Sequence, residues 1–387
     1  MFEIEEVRGQ KAKIKVVGVG GAGGNAINTM IASNLHGVEF IAVNTDLQAL
    51  ESSLAPVKVQ IGANLTRGLG SGSNPEIGRE AALEDSSLIV EHLEGADMVF
   101  VTAGMGGGTG TGAGPIIAGM AKELGAITIA VITKPFFYEG KIRYINAEEG
   151  IKELKKNVDT VIVIPNDKIG LVVEKGTPIL KSFAVANDVL KQAVQGISDI
   201  ILIPGLINVD FADVKTIIQD RGRGVMGCGI GRGENGAIDA AKKAISNPLL
   251  EESSIEGATG ILVNISGGLE LSLDGIQNAI SYIYDSSHED VHLILGAVID
   301  PDIGDEVRIT VIATGFSDQK EKVELPQFKK WSPIRQPLNL KGSERVLSKN
   351  IPAAYGTDMA PTDIMTYEDH IDVPTFLRKA SEVQKEL

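Results

Sequence analysis

The sequence predicts an α/β protein with a parallel-sheet domain, a long central helix and a second, mixed-sheet α/β domain. Three observations predict it. Short β-branched runs alternate with helix-like segments from residue 12 to about 134. One apolar stripe then repeats at helical spacing from Pro178 to Leu202. A second group of apolar strands follows between residues 206 and 316. A chain of 387 residues is too long for one ordinary domain and fits two or three.

The first strand is Ile14-Lys15-Val16-Val17-Gly18-Val19; others are expected at 39–43, 98–102, 127–132 and 160–165. Each is short, apolar and β-branched, the pattern of strands covered on both faces. Helices are expected between them at 25–33, 76–93 and 115–124. This alternation implies parallel pairing with right-handed crossovers. From Pro178 to Leu202 apolar residues recur at Phe183, Ala186, Leu190, Val194, Ile197 and Ile201. That spacing predicts one helix of about 25 residues, about 37 Å long, stopped by Pro204-Gly205. Strands at 260–265, 292–299 and 307–313 belong to the second domain.

The chain changes character after Phe316. Only two glycines, Gly342 and Gly356, lie beyond it, while six of the 15 prolines do. No sustained period of 2 or 3.6 runs through 317–366, which reads as a flexible linker holding the only tryptophan, Trp331. The expected divisions are therefore 1–177, the helix 178–204, 205–316, the linker 317–366 and a terminal segment 367–387.

Composition excludes several classes of function. The apolar fraction of 43% and charged fraction of 22% are those of a soluble globular chain. No run reaches the roughly 18 apolar residues of a membrane helix, and the N-terminus lacks the basic and apolar regions of a secretion signal. A cytoplasmic protein without direct membrane insertion is expected. Cys228 is the single cysteine, so neither an intrachain disulfide nor a cysteine zinc cluster is available. A net charge of −15 disfavours nucleic acid as a partner. It does not disfavour a nucleotide, because a pocket of backbone N–H groups binds phosphate inside an acidic protein.

Glycine is the compositional outlier, at 45 residues. Gly18-Val19-Gly20-Gly21-Ala22-Gly23-Gly24-Asn25 follows the first strand and opens the first helix. Gly18, Gly20 and Gly23 satisfy the dinucleotide fingerprint, and a helix N-terminus offers free N–H groups and a positive dipole end to phosphate. Asp46, past the second strand, stands where a Rossmann-like fold carries its ribose-binding carboxylate. A nicotinamide-dependent oxidoreductase is one reading of these features. The second loop, Gly104-Met105-Gly106-Gly107-Gly108-Thr109-Gly110-Thr111-Gly112, also lies between a strand and a helix. Such a run is entropically costly unless backbone must approach a ligand closely. Two glycine loops at neighbouring strand ends can wrap one polyphosphate, and a nicotinamide enzyme has no need of the second. Gly-Lys-Ser and Gly-Lys-Thr are absent, so no P-loop lysine is available. Backbone dipoles and a magnesium ion would neutralise the phosphates instead.

Gly107-Gly108-Thr109-Gly110-Thr111-Gly112 resembles the signature of the tubulin/FtsZ family of GTPases. The resemblance extends over about residues 10–316 and the tail at 371–379. It is carried by Val43-Asn44-Thr45-Asp46, Asn74-Pro75-Glu76, Pro135-Phe136, Glu139-Gly140, Pro165-Asn166-Asp167-Lys168 and Asn208-Val209-Asp210-Phe211-Ala212-Asp213-Val214. It implies a tubulin/FtsZ-like fold whose first domain binds GTP or GDP, with Mg2+ held through the phosphates. Gly21, Ala22, Gly23, Gly24 and Asn25, with Gly108, Thr109 and Gly110, would hold the phosphates. Ser71, Gly72, Ser73 and Asn74 would face the γ-phosphate, Glu139 and Arg143 the ribose, and Asn166, Phe183 and Asn187 the guanine. Asn44, Asp46, Gly104, Gly107, Thr133 and Pro135 would complete the surroundings. The loop bearing Asn208, Asp210 and Asp213 would complete the site of the next subunit in a head-to-tail filament.

Asp210 and Asp213 also have a physical logic of their own. Two carboxylates three residues apart at the start of a helix can be presented together, to orient or deprotonate a water and help hold a magnesium ion. Alternatively, either is an ordinary N-cap. Several residues depart from what the family commonly carries. Ser71 and Ser73 stand where alanine is frequent, Tyr138 where phenylalanine is, and Asn187 where aspartate is. Arg221-Gly222-Arg223-Gly224 is more basic than usual and reads as a solvated turn.

His288-Glu289-Asp290-Val291-His292 matches a zinc-protease pattern but runs into a strand. There the imidazoles would lie about 13 Å apart, so no protein metal site is expected. Ile371, Val373, Phe376 and Leu377, followed by Arg378-Lys379, form an apolar island suited to docking in a groove. By the resemblance, this segment from Ile371 to Lys379 binds membrane-tethering division proteins such as FtsA. The sequence reading is thus a self-assembling GTPase at the division site. A filament protein that binds nucleotide without hydrolysing it and a nicotinamide oxidoreductase stand as alternatives.

Overall fold

Ile14–Val19 forms β1 with all six residues buried, as a strand covered on both faces requires. Around it the computed structural model describes residues 12–174, 176–203, 205–248, 255–288 and 290–316. The linker with Trp331, the 367–387 segment, Pro204 and Glu289 lie outside the described residues. Among the described residues no helix is long and apolar enough to cross a membrane.

β1 pairs in parallel with β2 (Val38–Asn44) and β4 (Met98–Gly104); β5 (Ile127–Lys134) and β6 (Thr160–Pro165) extend the parallel run. A strand not expected from sequence, β3 (Val57–Gln60), forms the edge beyond β2. On the other side β6 pairs with β7 (Gly222–Arg232). β7 is followed in space by β10 (Glu306–Thr314), β8 (Gly260–Gly267) and β9 (His292–Ile299). One ten-stranded sheet results, in the order β3-β2-β1-β4-β5-β6-β7-β10-β8-β9. All its pairings are parallel except the two made by β10. The mixed α/β fold class read from the sequence is the one observed.

The helices begin earlier than their sequences suggest. α1 (Gly20–Ala32) starts at the glycines rather than at Asn25. The expected 76–93 helix is two, α4 (Pro75–Glu84) and α5 (Ser86–Leu93), broken at Asp85, whose Oδ2 accepts from Gly62 N at 2.7 Å. α2 (Leu47–Glu51) and α3 (Ala63–Thr66) precede them. α6 (Thr109–Glu123) takes in Gly110, Gly112 and Gly114, instead of starting at Pro115. Each helical glycine costs roughly 1 kcal/mol relative to alanine, so tertiary packing sustains this turn. A Cβ on Gly110 would lie 2.6 Å from Gly104 O, and one on Gly112 would overlap the Pro75 carbonyl. α7 (Lys141–Asn157) and α8 (Asn166–Val172) follow.

α9 (Ile179–Leu202) is the expected long helix. Ala186, Val189, Leu190, Ala193, Val194, Ile197 and Ile200 pack it into the core that it shares with β5, β6 and β10. Phe183, read as part of that stripe, is 41% exposed and belongs to the cleft described below. α10 (Phe211–Ile218), α11 (Gly236–Ile245) and α12 (Leu273–Asp285) complete the chain order. Residues 222–224 are strand, not solvated turn. Further along β7, glycines let a helix approach: Cβ atoms on Gly227, Gly229 and Gly231 would overlap α11 carbonyls.

Candidate functional site

The cleft is built from the C-terminal ends of β1, β2 and β4, where open α/β sheets bind their ligands. Val19 in β1 is in register with Ala103 in β4, so the helices that follow, α1 and α6, start side by side. A Cβ on Gly20 would lie 3.0 Å from Gly110 N. Neither helix has a side-chain N-cap or an acidic residue in its first turn. Two positive dipole ends and their uncapped N–H groups thus face one space. Packed against the start of α6, the 67–73 loop holds Arg67, Gly68, Gly70, Gly72 and Ser73 at positive φ. Gly70, Ser71, Gly72 and Ser73 of this loop line the cleft, and backbone in the left-handed region can turn amides toward a concavity that binds anions.

The cleft encloses about 590 Å3. Gly21, Ala22, Asn25, Asn44, Asp46, Gly72, Gly104, Gly107, Gly108, Thr109, Gly110, Thr133, Pro135, Glu139, Arg143, Asn166, Phe183 and Asn187 all line it. Two expected phosphate ligands do not. Gly23 packs α1 on the sheet, where a Cβ would collide with the Thr102 carbonyl, and Gly24 faces an adjoining recess of about 190 Å3. Asn74 caps α4, its Oδ1 accepting from Glu76 N at 3.0 Å. Asp46 Oδ1 accepts from Gln48 N and Ala49 N at 2.9 and 3.3 Å, so this carboxylate caps α2. Thr45, Gly70, Met105 and Leu190 line the cleft, although the sequence reading gave them no role in the site. Thr45 and Met105 directly follow strand ends, a signal that could have found them.

At the far end Asn166 opens α8, buried, and its Oδ1 has no hydrogen-bond partner. Phe183 stands edge-on to Phe136 at 5.5 Å, and Phe136 stacks on Tyr138 at 4.9 Å. Glu139 accepts from Phe136 N at 3.0 Å and pairs with Arg143 at 2.6 Å. Burial, then the charges of Glu139 and Asp167, push the Tyr138 phenol above its ordinary pKa.

Asn208, Asp210 and Asp213 are exposed and do not line this cleft. Asp210 is the N-cap of α10, with Oδ1 accepting from Asp213 N at 2.8 Å, and Asn208 Oδ1 accepts from Gly205 N at 2.7 Å. The loop is pinned to β9 by Leu206 N to Ala297 O at 2.8 Å and anchored by buried Val209.

Residues 13–174 match the family model for the GTPase domain of the Tubulin/FtsZ family, and residues 222–317 match the FtsZ family C-terminal domain. An empty FtsZ dimer from M. jannaschii is 42% identical, covering 80% of this chain and 89% of that one, with a TM-score of 0.76. The chain belongs to the tubulin/FtsZ family. CetZ2 from Haloferax volcanii, solved as a GTPgS-bound protofilament, shares 21% identity over 80% of this chain and 94% of that one at a TM-score of 0.68, which shows the fold. Membership of this GTPase family removes the nicotinamide reading, and the engagement of Asp46 as a cap agrees with that. The FtsZ signature glycines are therefore two kinds of residue in this chain. Gly107, Gly108 and Gly110 line the cleft, whereas Gly112 admits α4.

Proposed function

We propose that this chain binds GTP in the cleft and hydrolyses it within head-to-tail filaments, with a loop from the neighbouring subunit completing each site. The observation that carries the reading is the separation of two halves. Backbone donors converge on one cleft, while the carboxylates of Asp210 and Asp213 lie exposed elsewhere on the same subunit. The uncapped amides of α1 and α6 hold the phosphates, and the 67–73 loop faces the terminal one. The unpartnered Asn166 Oδ1 accepts from the guanine N–H edge, with Phe183 and Asn187 beside the base. Among the described residues no group of three or more His, Cys, Asp or Glu side chains is arranged to hold a metal. A magnesium ion held through the phosphate oxygens, as the resemblance implies, would neutralise charge there. An incoming Asp210 or Asp213 orients or deprotonates the attacking water, and positioning with charge neutralisation supplies most of what phosphoryl transfer needs. Because the contact joins unlike surfaces it does not close, and filaments result.

On this reading the chain acts in the cytoplasm at the division site, and Ile371 to Lys379 docks on a membrane tether such as FtsA. The test of the in-trans step is Asp210→Ala, which keeps GTP binding and loses turnover. Wild-type turnover by that variant would end the proposal and leave Asp210 as a helix cap. A filament that binds GTP without hydrolysing it would instead release no phosphate from the wild type.

A further inference from the structure

The acidic loop is seated on the edge of β9 that β8 leaves free. Leu206 N and Ile207 N both donate to Ala297 O, at 2.8 and 3.4 Å, and Ala297 N donates to Ile207 O at 3.2 Å. Ile207 and Ala297 thus form an antiparallel bridge, and the loop caps an edge that would otherwise stand open.

Gly205 lies where the chain coming from α9 meets this edge. A Cβ there would overlap the Ala297 carbonyl oxygen and lie 3.0 Å from its carbon. Gly205 is not among the residues at positive φ, so its backbone is one that alanine can adopt. The close approach alone calls for glycine here. Gly205 N in turn donates to Asn208 Oδ1 at 2.7 Å. Val209 is buried over Gly296, where a Cβ would lie 3.6 Å from the Val209 side chain and 3.2 Å from that of Ile200. Asp210 follows as the N-cap of α10, with Asp213 in its first turn. The other end of α10 is fixed: Thr160 Oγ1 donates to Ile218 O at 2.7 Å and Thr314 Oγ1 to Ile217 O at 2.6 Å. A loop that lifts off β9 therefore moves the carboxylate end of α10 and leaves the other end in place.

We propose that Gly205 is a positioning residue: by letting the chain lie against the Ala297 carbonyl, it sets where Asp210 and Asp213 stand relative to the next subunit's cleft. This rests on the in-trans reading above. An alanine must clear the oxygen by a shift on the order of 1 Å, and a misplacement of that size can cost about a hundredfold in rate.

The experiment measures GTP turnover per assembled subunit, with pelleted polymer as the denominator, for the wild type, Gly205→Ala and Asp210→Ala. GTP affinity is measured beside it, below the assembly concentration. Gly205→Ala is expected to bind GTP within about twofold of wild type and to turn it over at least about tenfold more slowly in polymer. The Leu206 and Ile207 amides should exchange faster with solvent in the same variant. Wild-type turnover per assembled subunit, or unchanged exchange at both amides, would overturn the proposal. So would a loss that disappears once turnover is divided by assembled protein, because a merely structural role lowers the amount of polymer and not its rate. If Gly205→Ala fails to fold or assemble, Val209→Ala, which frees the loop from β9 without adding an atom, decides on the same ratio. Wild-type turnover by Asp210→Ala would overturn the in-trans reading itself, whereas its loss beside wild-type turnover by Gly205→Ala would overturn only the role of Gly205.

Discussion

Asn166 keeps a buried amide oxygen without a donor, and such an atom costs about 1–3 kcal/mol in the free protein. Asn166→Ala removes both the cost and the recognition. GTP affinity should fall at least tenfold by equilibrium titration, while the nucleotide-free protein unfolds within about 1 kcal/mol of wild type. A loss of stability without a loss of affinity would contradict the role given to this oxygen. Asp199, in the last turn of α9, is a second residue under electrostatic stress. Burial, then the charge of Asp300, pushes its pKa up from 3.8 to about 6, against the hydrogen bond from Gln195. The folded state therefore binds the proton more tightly than the unfolded chain. The stability this confers is full below about pH 3.8 and lost as pH rises through about 6. Asp199→Asn should stabilise the protein by about 1–3 kcal/mol at pH 7.5, the gain vanishing toward pH 4 in urea titrations. Cys228 presents the opposite case for reactivity. Burial pushes its thiol up to about 11, against a contact with Thr310, so native protein at pH 8 should resist thiol reagents that label it once unfolded.

Among the elements, α6 runs from the cleft to the opposite ends of the strands. Its last-turn Lys122 reaches Asp159 Oδ1 at 3.0 Å and Asp220 Oδ1 at 2.8 Å, and Asp159 is buried with Oδ2 accepting from Thr128 N at 2.8 Å. Although burial works against the ammonium, the hydrogen bonds to Asp220 and Asp159 hold its pKa above the usual lysine range. Lys122→Met strands the Asp159 charge and should cost about 3 kcal/mol by urea denaturation; adding Asp159→Asn should recover part of it. Strands such as β1 and β6 were legible in the sequence because β-branched residues fill them on both faces. The starts of α1 and α6 were not, because their glycines read locally as loop and become helical only through contact with β4, α4 and each other. β7 was hidden for the same reason, since α11 occupies the space its side chains would take. In the cleft, glycine loops after strands pointed to the phosphate end from physics alone, but Asn166, Phe183 and Asn187 came from the resemblance. No local pattern marks residues that a turn of α8 and a turn of α9 bring together.

For the whole molecule, the proposed function divides one reaction between two subunits. The cleft lies at the strand ends of the parallel half of the sheet, and the acidic loop lies between α9 and β9 at the other half. Exposed Leu206 and Ile207 accompany that loop, while exposed Phe137, Tyr138 and Ile142 accompany the cleft, apolar surface that association would cover. Turnover per subunit should therefore depend on assembly. The most direct measurement is GTP hydrolysis per subunit across a protein-concentration series, with light scattering recorded alongside. Catalysis shared between subunits predicts negligible turnover below a threshold and a steep rise as scattering appears. A rate per subunit that stays constant down to the lowest concentration would contradict it.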